Sequence, residues 1–237
     1  MARYAFVTGS SDRIGKAIAL ELARSGFNLL LHYNSSYSKI EKVKSEIEAI
    51  GVAAETIQIN FLDENDFDKI FLDLKDRGIA VEVLVNCASG FQPSGFADPG
   101  SELLQKQLKI NFETAYLLTK AFARVFETGN IINLLDTKVE KNYTKNLDYI
   151  LSKKLLKEFT KLSAVHFAPR FRVNAIAPGL ILPPADKDQA YLLALARDIP
   201  LKTIGSLEEI LKGLRYLLES RFVTGQILYI DGGDHLM

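Results

Sequence analysis

Short apolar runs alternate along the chain with longer stretches in which apolar residues recur at three- and four-residue spacing. Runs at residues 4–7, 27–33, 53–60, 81–86, 130–135, 171–176 and 226–230 have strand length and are bounded by Gly, Asn and Ser. Helical periodicity covers about residues 14–25, 38–50, 64–76, 149–167 and 207–219, and two helices fill residues 100–127. Near-continuous apolar runs belong to strands covered on both faces. Repeated strand–helix alternation predicts an α/β fold, a doubly wound parallel sheet of about seven strands in a three-layer α/β/α arrangement. No linker, repeat or low-complexity tract interrupts it, so residues 1–237 read as one domain. The least regular stretch, residues 178–200, carries Pro178, Pro183, Pro184 and Pro200, and a substrate lid is expected near 180–200.

Composition narrows the class. Hydrophobic residues make up 48% of the chain, enough for a sizeable core. Lys plus Arg is 29 and Asp plus Glu is 29, a formal charge of zero. That balance argues against a general grip on nucleic acid or an anionic membrane, though a local basic pocket remains open. The lone Cys87 can form neither an internal disulfide nor a paired-cysteine zinc site. Together with an N-terminus lacking a signal-type apolar region and no run approaching ~18 apolar residues, it suits a cytoplasmic protein. His32, His166 and His235 are widely spaced and show no metal-ligand pattern.

The first strand runs into Thr8-Gly9-Ser10-Ser11-Asp12-Arg13-Ile14-Gly15. Gly9 permits a tight turn, Gly15 lets the helix approach the sheet, and the helix N-terminus offers N–H groups to a diphosphate. The segment resembles the Thr-Gly-x-x-x-Gly-x-Gly motif of short-chain dehydrogenases/reductases, a Rossmann-type family, with Arg13 in place of the middle glycine. Pteridine reductases carry Arg at that place and use it on the 2′-phosphate of NADPH. An NAD site wants an acid about 20 residues past the glycines. Residues 26–38 hold no Asp or Glu, and His32, Asn34, Ser35 and Ser36 supply uncharged donors instead. The expected cofactor is therefore NADPH/NADP. The resemblance extends over the whole chain and implies cofactor contacts at Gly9, Ser11, Arg13, Ile14, Gly15, Asn60, Phe61, Asn86, Ala88, Ser89, Pro178, Gly179 and Ile181. It also places Asn111 as a helix-bending, water-holding residue and Asp231-Gly232-Gly233 at a subunit contact.

Tyr149 and Lys153 stand four residues apart on one helical face. A nearby ammonium is expected to lower the phenol's pKa and make Tyr149 a usable proton donor. Tyr116 and Lys120 repeat the spacing, but only Tyr149 follows the fifth strand and opens a long helix with an apolar stripe of Leu151, Leu155, Phe159 and Leu162. Thirteen residues before Tyr149, where the family usually has Ser, stands Asp136. An ionised carboxylate accepts hydrogen bonds but cannot donate one, so a plain ketone fits poorly unless burial keeps Asp136 protonated. A heterocycle with ring N–H groups and a C=N bond fits better. Pteridine reductases also carry Asp here, and Ser89-Gly90-Phe91-Gln92-Pro93 resembles their segment in which Ser meets cofactor and pterin and Phe stacks on the pterin.

These residues lead to an expected NADPH-dependent enzyme that reduces a ring C=N of a pterin, closest within the family to the pteridine and dihydromonapterin reductases. Asp136, Tyr149, Lys153 and Asn111 are the expected catalytic residues, and Tyr149 and Lys153 also meet the cofactor. Ser89, Phe91, Asp136, Tyr149 and Leu182 are the expected substrate contacts, and no metal is expected. A carbonyl (3-oxoacyl or quinone) reductase of the same family is the alternative, and an NADPH-binding regulator without turnover a third reading. The resemblance implies a homotetramer with the helices around residues 105–127 and 149–167 as interfaces.

Overall fold

Seven parallel strands, β1 (Tyr4–Val7), β2 (Asn28–Tyr33), β3 (Ala54–Gln58), β4 (Val81–Asn86), β5 (Gly129–Leu134), β6 (Phe171–Pro178) and β7 (Ile227–Ile230), form one sheet in the order β3-β2-β1-β4-β5-β6-β7. This computed structural model describes residues 2–64, 66–184 and 186–237. Met1, Asn65 in the expected third helix and Ala185 in the expected lid lie outside the described residues. The helices are α1 (Arg13–Arg24), α2 (Tyr37–Glu48), α3 (Phe67–Asp76), α4 (Glu102–Leu108), α5 (Thr114–Val125), α6 (Leu147–Phe167), α7 (Gln189–Ala196) and α8 (Leu207–Glu219). Strand order reverses between β1 and β4, and in such sheets the crevice at the C-terminal strand ends is where ligands bind.

Successive strand side chains point to opposite faces. Ala5 and Val7 therefore join Ile18, Leu22, Leu29, Leu31, Val83, Val85 and Leu214 in one core, beneath α1, α2 and α8. Phe6 turns the other way with Leu30, Leu84, Ile131 and Val173, into an aromatic core with Phe71, Phe122 and Phe171. The two helix layers thus follow from apolar runs with no polar face.

Three features depart from the sequence pattern. Helix α7 lies inside the stretch read as irregular, where Leu192 and Ala196 are buried. The two helices expected in residues 100–127 are joined by a π-type turn, Lys109–Glu113. Most of the apolar stripe of α6 faces outward: Leu151, Leu155 and Leu162 are exposed, while Phe159 is half-buried beside Phe112 and Tyr116 and packs on the small core around Leu135, Leu156 and Ala175. The inward face is Ile150, Ser152, Lys153, Leu156, Thr160, Ser163 and Ala164, because close approach to the sheet and a polar seam demand small or hydrogen-bonding side chains there. Among the described residues no helix is long and apolar enough to cross a membrane.

At Gly9 the turn after β1 has no room for a side chain. Gly9 has φ +65°, and a Cβ there would lie 2.8 Å from the Ala88 Cα. Gly26 has φ +82° but open space around it. We expect Gly9→Ala to destabilise the fold by about 2–4 kcal/mol, through left-handed strain plus a backbone clash. Gly26→Ala should cost only about 1–2 kcal/mol, through strain alone. Urea unfolding of the two variants checks the difference, and equal losses would remove the clash from the explanation.

Candidate active site

The crevice between β1 and β4 is built by hydroxyls and one buried imidazole. Thr8 Oγ1 accepts the N–H groups of Cys87 (2.9 Å) and Ala88 (3.0 Å) and donates to the Val85 carbonyl (3.3 Å), tying the two strand ends together. Ser10 Oγ donates to the His32 carbonyl (3.1 Å). The Gly9 N–H donates to His32 Nδ1 (3.0 Å), and His32 Nε2 donates to the Ile59 carbonyl (3.0 Å). Burial pushes the His32 pKa down to about 4, so the ring is neutral and Nε2 carries its proton. His32, expected as a donor to the cofactor, instead has both nitrogens bound within the protein and supports the glycine turn from below. Phe61, expected beside the adenine, stacks on His32 with centroids 4.0 Å apart. Asn60 is exposed and donates to Asp63 (2.6 Å). Asn86 directs its amide to Asn133 (2.8 Å) and Thr119 (3.3 Å), into the buried seam that continues to Thr160 on α6, rather than to the crevice.

Above this support the turn is open. A Cβ at Gly15 would meet the Gly9 carbonyl at 2.1 Å, so α1 begins hard against the turn. Arg13 opens α1 with φ +52°, a left-handed conformation that costs a side-chain-bearing residue roughly 1–2 kcal/mol. Its guanidinium is exposed, 3.4 Å from the Leu182 carbonyl. Asn34 and Ser35 are exposed and Ser36 is half-buried at the end of β2. The nearby Asp12 is engaged by Lys39 (2.6 Å) and the Arg13 N–H (2.8 Å), which hold its carboxyl below the usual range. A helix N-terminus, an exposed guanidinium and hydroxyls, with the neighbouring Asp12 already paired, fit a dinucleotide that carries an extra phosphate.

Across the crevice, Asp136 stands two residues beyond the end of β5, and α6 brings up Tyr149 and Lys153. The Tyr149 hydroxyl donates to Asp136 Oδ2 (3.3 Å), and the Lys138 N–H donates to Asp136 Oδ1 (2.8 Å). Lys153 Nζ donates to the Leu134 carbonyl (2.8 Å) and lies 5.9 Å from the Tyr149 ring. Burial raises the Asp136 pKa, against the Lys138 N–H bond and the charge of Lys153. Burial also lowers Lys153 to about 8, and burial and the Asp136 charge push Tyr149 well above 10. The expected lowering of Tyr149 by Lys153 is therefore overturned in the free protein: its nearest charge is a carboxylate, and it stands as a neutral phenol. Phe91 is 56% exposed and meets the Tyr149 ring edge to face at 5.2 Å. Tyr116, the other match to the spacing, accepts from Lys120 Nζ (3.0 Å) beside Phe112 and Phe159, away from this group.

One buried amide joins the two sides. Asn111, on the π-type turn, accepts at Oδ1 from Ser89 Oγ (3.0 Å) and the Gly90 N–H (2.8 Å). Its Nδ2 donates to the Gly90 carbonyl (3.0 Å) and to Ser152 Oγ (3.0 Å), which itself donates to the Tyr149 carbonyl (2.6 Å). Buried Gln107 approaches the same loop, its amide 2.8 Å from the Gln92 N–H and 2.6 Å from the Gly90 carbonyl. Gln107 and Ser152 escaped sequence reasoning, and Thr8 was read only as part of the glycine motif, without its bonds to Cys87 and Ala88. Ser152 lies inside the Tyr149–Lys153 spacing, and Gln107 is one helical turn before Asn111, the only signals available. On the far wall Pro178 and Gly179 end β6, a Cβ at Gly179 would lie 2.6 Å from the Asp231 Cα, and Ile181 is buried. Leu182 packs partly buried on the core, and its carbonyl faces the Arg13 guanidinium.

A family model described as enoyl-(acyl carrier protein) reductase matches residues 9–235. The chain is 29% identical to the dihydromonapterin reductase of Citrobacter koseri, over 97% of this chain and 95% of the relative. It is 30% identical to a 3-oxoacyl-[acyl-carrier-protein] reductase of Synechocystis, over 98% and 96%. The crystal structure of FolM alternative dihydrofolate reductase 1 from Brucella suis, in complex with NADP, superposes with TM-score 0.92 and 32% identity, over 99% of this chain and 95% of that one. With the switch-point crevice, the glycine turn and the Tyr149–Lys153 pair all on one parallel sheet, this chain belongs to the short-chain dehydrogenase/reductase family.

Proposed function

We propose that this NADP-dependent short-chain reductase reduces a ring C=N bond of a dihydropterin. The observation that carries the reading is Asp136, half-buried and hydrogen-bonded to Tyr149 where the family usually places a serine. Gly9, Ser11, Ile14 and Gly15 would hold the diphosphate, Arg13, Asn34, Ser35 and Ser36 the 2′-phosphate, and Lys153 the nicotinamide ribose, beside Ala88, Ser89, Pro178, Gly179 and Ile181. Bound NADPH supplies the hydride. Phe91 would cover one face of a flat heterocycle and Asp136 would accept from its ring amino and amide N–H groups. Tyr149 would pass a proton to the ring nitrogen, directly or through water, while hydride reaches the carbon, so that C=N becomes CH–NH. Asn111 and Ser152 hold Ser89, Phe91 and Tyr149 in register.

Similarity to a 3-oxoacyl reductase favours a second reading, a carbonyl reductase. Asp136 separates the two: in its ionised form it opposes a developing alkoxide, whereas the ring amino and amide N–H groups of a pterin suit it as an acceptor. A non-catalytic regulator is disfavoured by the intact Tyr149, Lys153 and Asn111.

NADPH consumption across a panel of dihydropterins, 3-oxoacyl esters and quinones tests the reading. We expect turnover with a dihydropterin, and Asp136→Ser should lower that kcat/KM by about a hundredfold while improving the carbonyl substrates. Arg13→Ala should raise the KM for NADPH about ten- to a hundredfold and leave NADH little changed. Turnover of carbonyls alone would establish the second reading.

The pH dependence has a definite sign. Lys153 is charged below about 8 and neutral above it, and Asp136 and Tyr149 lose protons as pH rises. The kcat/KM is therefore expected to fall above about pH 8, and a value that climbs through this range would contradict the assignment of Lys153.

We also propose a homotetramer. The exposed Leu151, Leu155, Leu162 and Val165 give α6 an outward apolar face that a second copy would cover. Sedimentation should show four copies, and a monomer at micromolar concentration would refute this.

A further inference from the structure

The chain closes with a turn at residues 231–233 and a short helical turn, Asp234–Leu236, and both aspartates in it are buried: Asp231 is 6% and Asp234 4% exposed. Each reaches across to the segment that carries Asp136. Asp231 Oδ2 accepts from Thr137 Oγ1 and from the His235 N–H (2.8 Å), and lies 2.9 Å from His235 Nδ1. Asp231 Oδ1 accepts from the Gly233 N–H (2.9 Å). Asp234 binds Lys138 Nζ at 2.7 Å and Lys141 Nζ at 2.5 Å. Thr137, Lys138 and Lys141 directly follow or lie close behind Asp136, and the Lys138 N–H is the donor that fixes Asp136 Oδ1.

The other side of this short turn, Thr137–Glu140, is held by α6. Lys154 Nζ donates to the Val139 carbonyl (2.9 Å), and Lys157 Nζ pairs with Glu140 at 2.8 Å. The segment bearing Asp136 is thus clamped between α6 and the chain's end. Burying a carboxylate with two ammonium groups carries a desolvation penalty that apolar residues of similar volume would avoid, so stability alone is a weak reason for the triad. What paired buried charges do supply is a fixed, directional geometry. Asp231 also backs Gly179 so closely that no Cβ fits between them. One segment therefore contacts both the Asp136 turn and the turn at the end of β6, which follow the neighbouring strands β5 and β6.

We propose that Asp234 and Asp231 are positioning residues: through Lys138, Lys141 and Thr137 they hold the Asp136 carboxylate at the place where it meets the substrate. This rests on the reading that Asp136 faces the substrate. It assigns the C-terminal turn a part in turnover distinct from subunit contact.

The test uses the full-length protein with the substrate that the wild type turns over best. Asp234→Asn and Thr137→Val are each expected to lower kcat about tenfold or more, because small misplacement of a reacting group is costly. The Kd for NADPH, read by titration calorimetry, should stay within about twofold. Asp234→Glu should recover part of kcat. Thermal melts establish that assays run well below each unfolding midpoint, and Thr137→Val carries the test if Asp234→Asn does not fold. Folded variants with undiminished kcat, or losses in which NADPH affinity and substrate KM worsen in parallel, would overturn the proposal. A wild type inactive on every pterin would instead sink the substrate reading, and the same variants would then be scored on the carbonyl it reduces.

Discussion

The Asn111 side chain is the constraint on which the site's geometry depends. An amide has one accepting and one donating end, and Asn111 uses both: its oxygen holds Ser89 and the Gly90 N–H, and its nitrogen reaches the Gly90 carbonyl and Ser152. Ser152 in turn bonds the Tyr149 carbonyl. The loop after β4 and the first turn of α6 are therefore set against each other through this buried group, together with the Leu147 and Asp148 N–H groups, which donate to the Ser94 carbonyl and Oγ. A regular α-helix would place residue 111 differently, and the π-type turn at Lys109–Glu113 is the local departure that goes with it. Phe91 meets Tyr149 edge to face because of this registration, not because the two rings are near in sequence.

Electrostatics then follows from burial. Asp136, Tyr149 and Lys153 lie in one poorly solvated pocket with a single cation among them, so each charge shifts its neighbours. Asp136 is driven towards its protonated form, Tyr149 is kept from ionising, and Lys153 comes down to about 8. Protons in such a group belong to the set rather than to one residue. Beside the neutral Tyr149 phenol, Asp136 can accept from a ring N–H while the phenol passes a proton on, a pairing of roles that a lone carboxylate does not supply.

How much of this was legible in the sequence depends on the range of the interaction. The seven strands and most helices are local patterns, and apolar runs bounded by Gly, Asn and Ser place them within a few residues. Tyr149 and Lys153 were accessible from their spacing along one helix, and Asp136 through the family resemblance, which marks the position thirteen residues before Tyr149. The inverted face of α6 was not, since Leu151, Leu155 and Leu162 form as good an apolar stripe as any buried one. Only the polar seam of Asn86, Asn133 and Thr160, assembled from three elements, shows why that stripe turns outward. His32 was misread for the same reason: its partners, Gly9, Ile59 and Phe61, come from separate parts of the chain. Helix α7 was hidden by the prolines that flank it.

Arg13 shows how a local cost and a site's chemistry coexist. Glycine would adopt its φ of +52° without strain, and the fold needs nothing larger there, since the guanidinium is exposed and makes only a long contact to a carbonyl. A strained, solvent-facing cation at a helix N-terminus is poorly explained by stability, and strain of this kind persists where surrounding structure enforces it for another reason. The pairing of Asp12 with Lys39 points the same way, because it engages the neighbouring acid that would oppose an anion at the turn. A chain with no net charge thus concentrates uncompensated positive charge at one end of its crevice. The other end carries a half-buried carboxylate, and the polarity of the site runs from phosphate recognition to proton handling along the C-terminal edge of a single sheet.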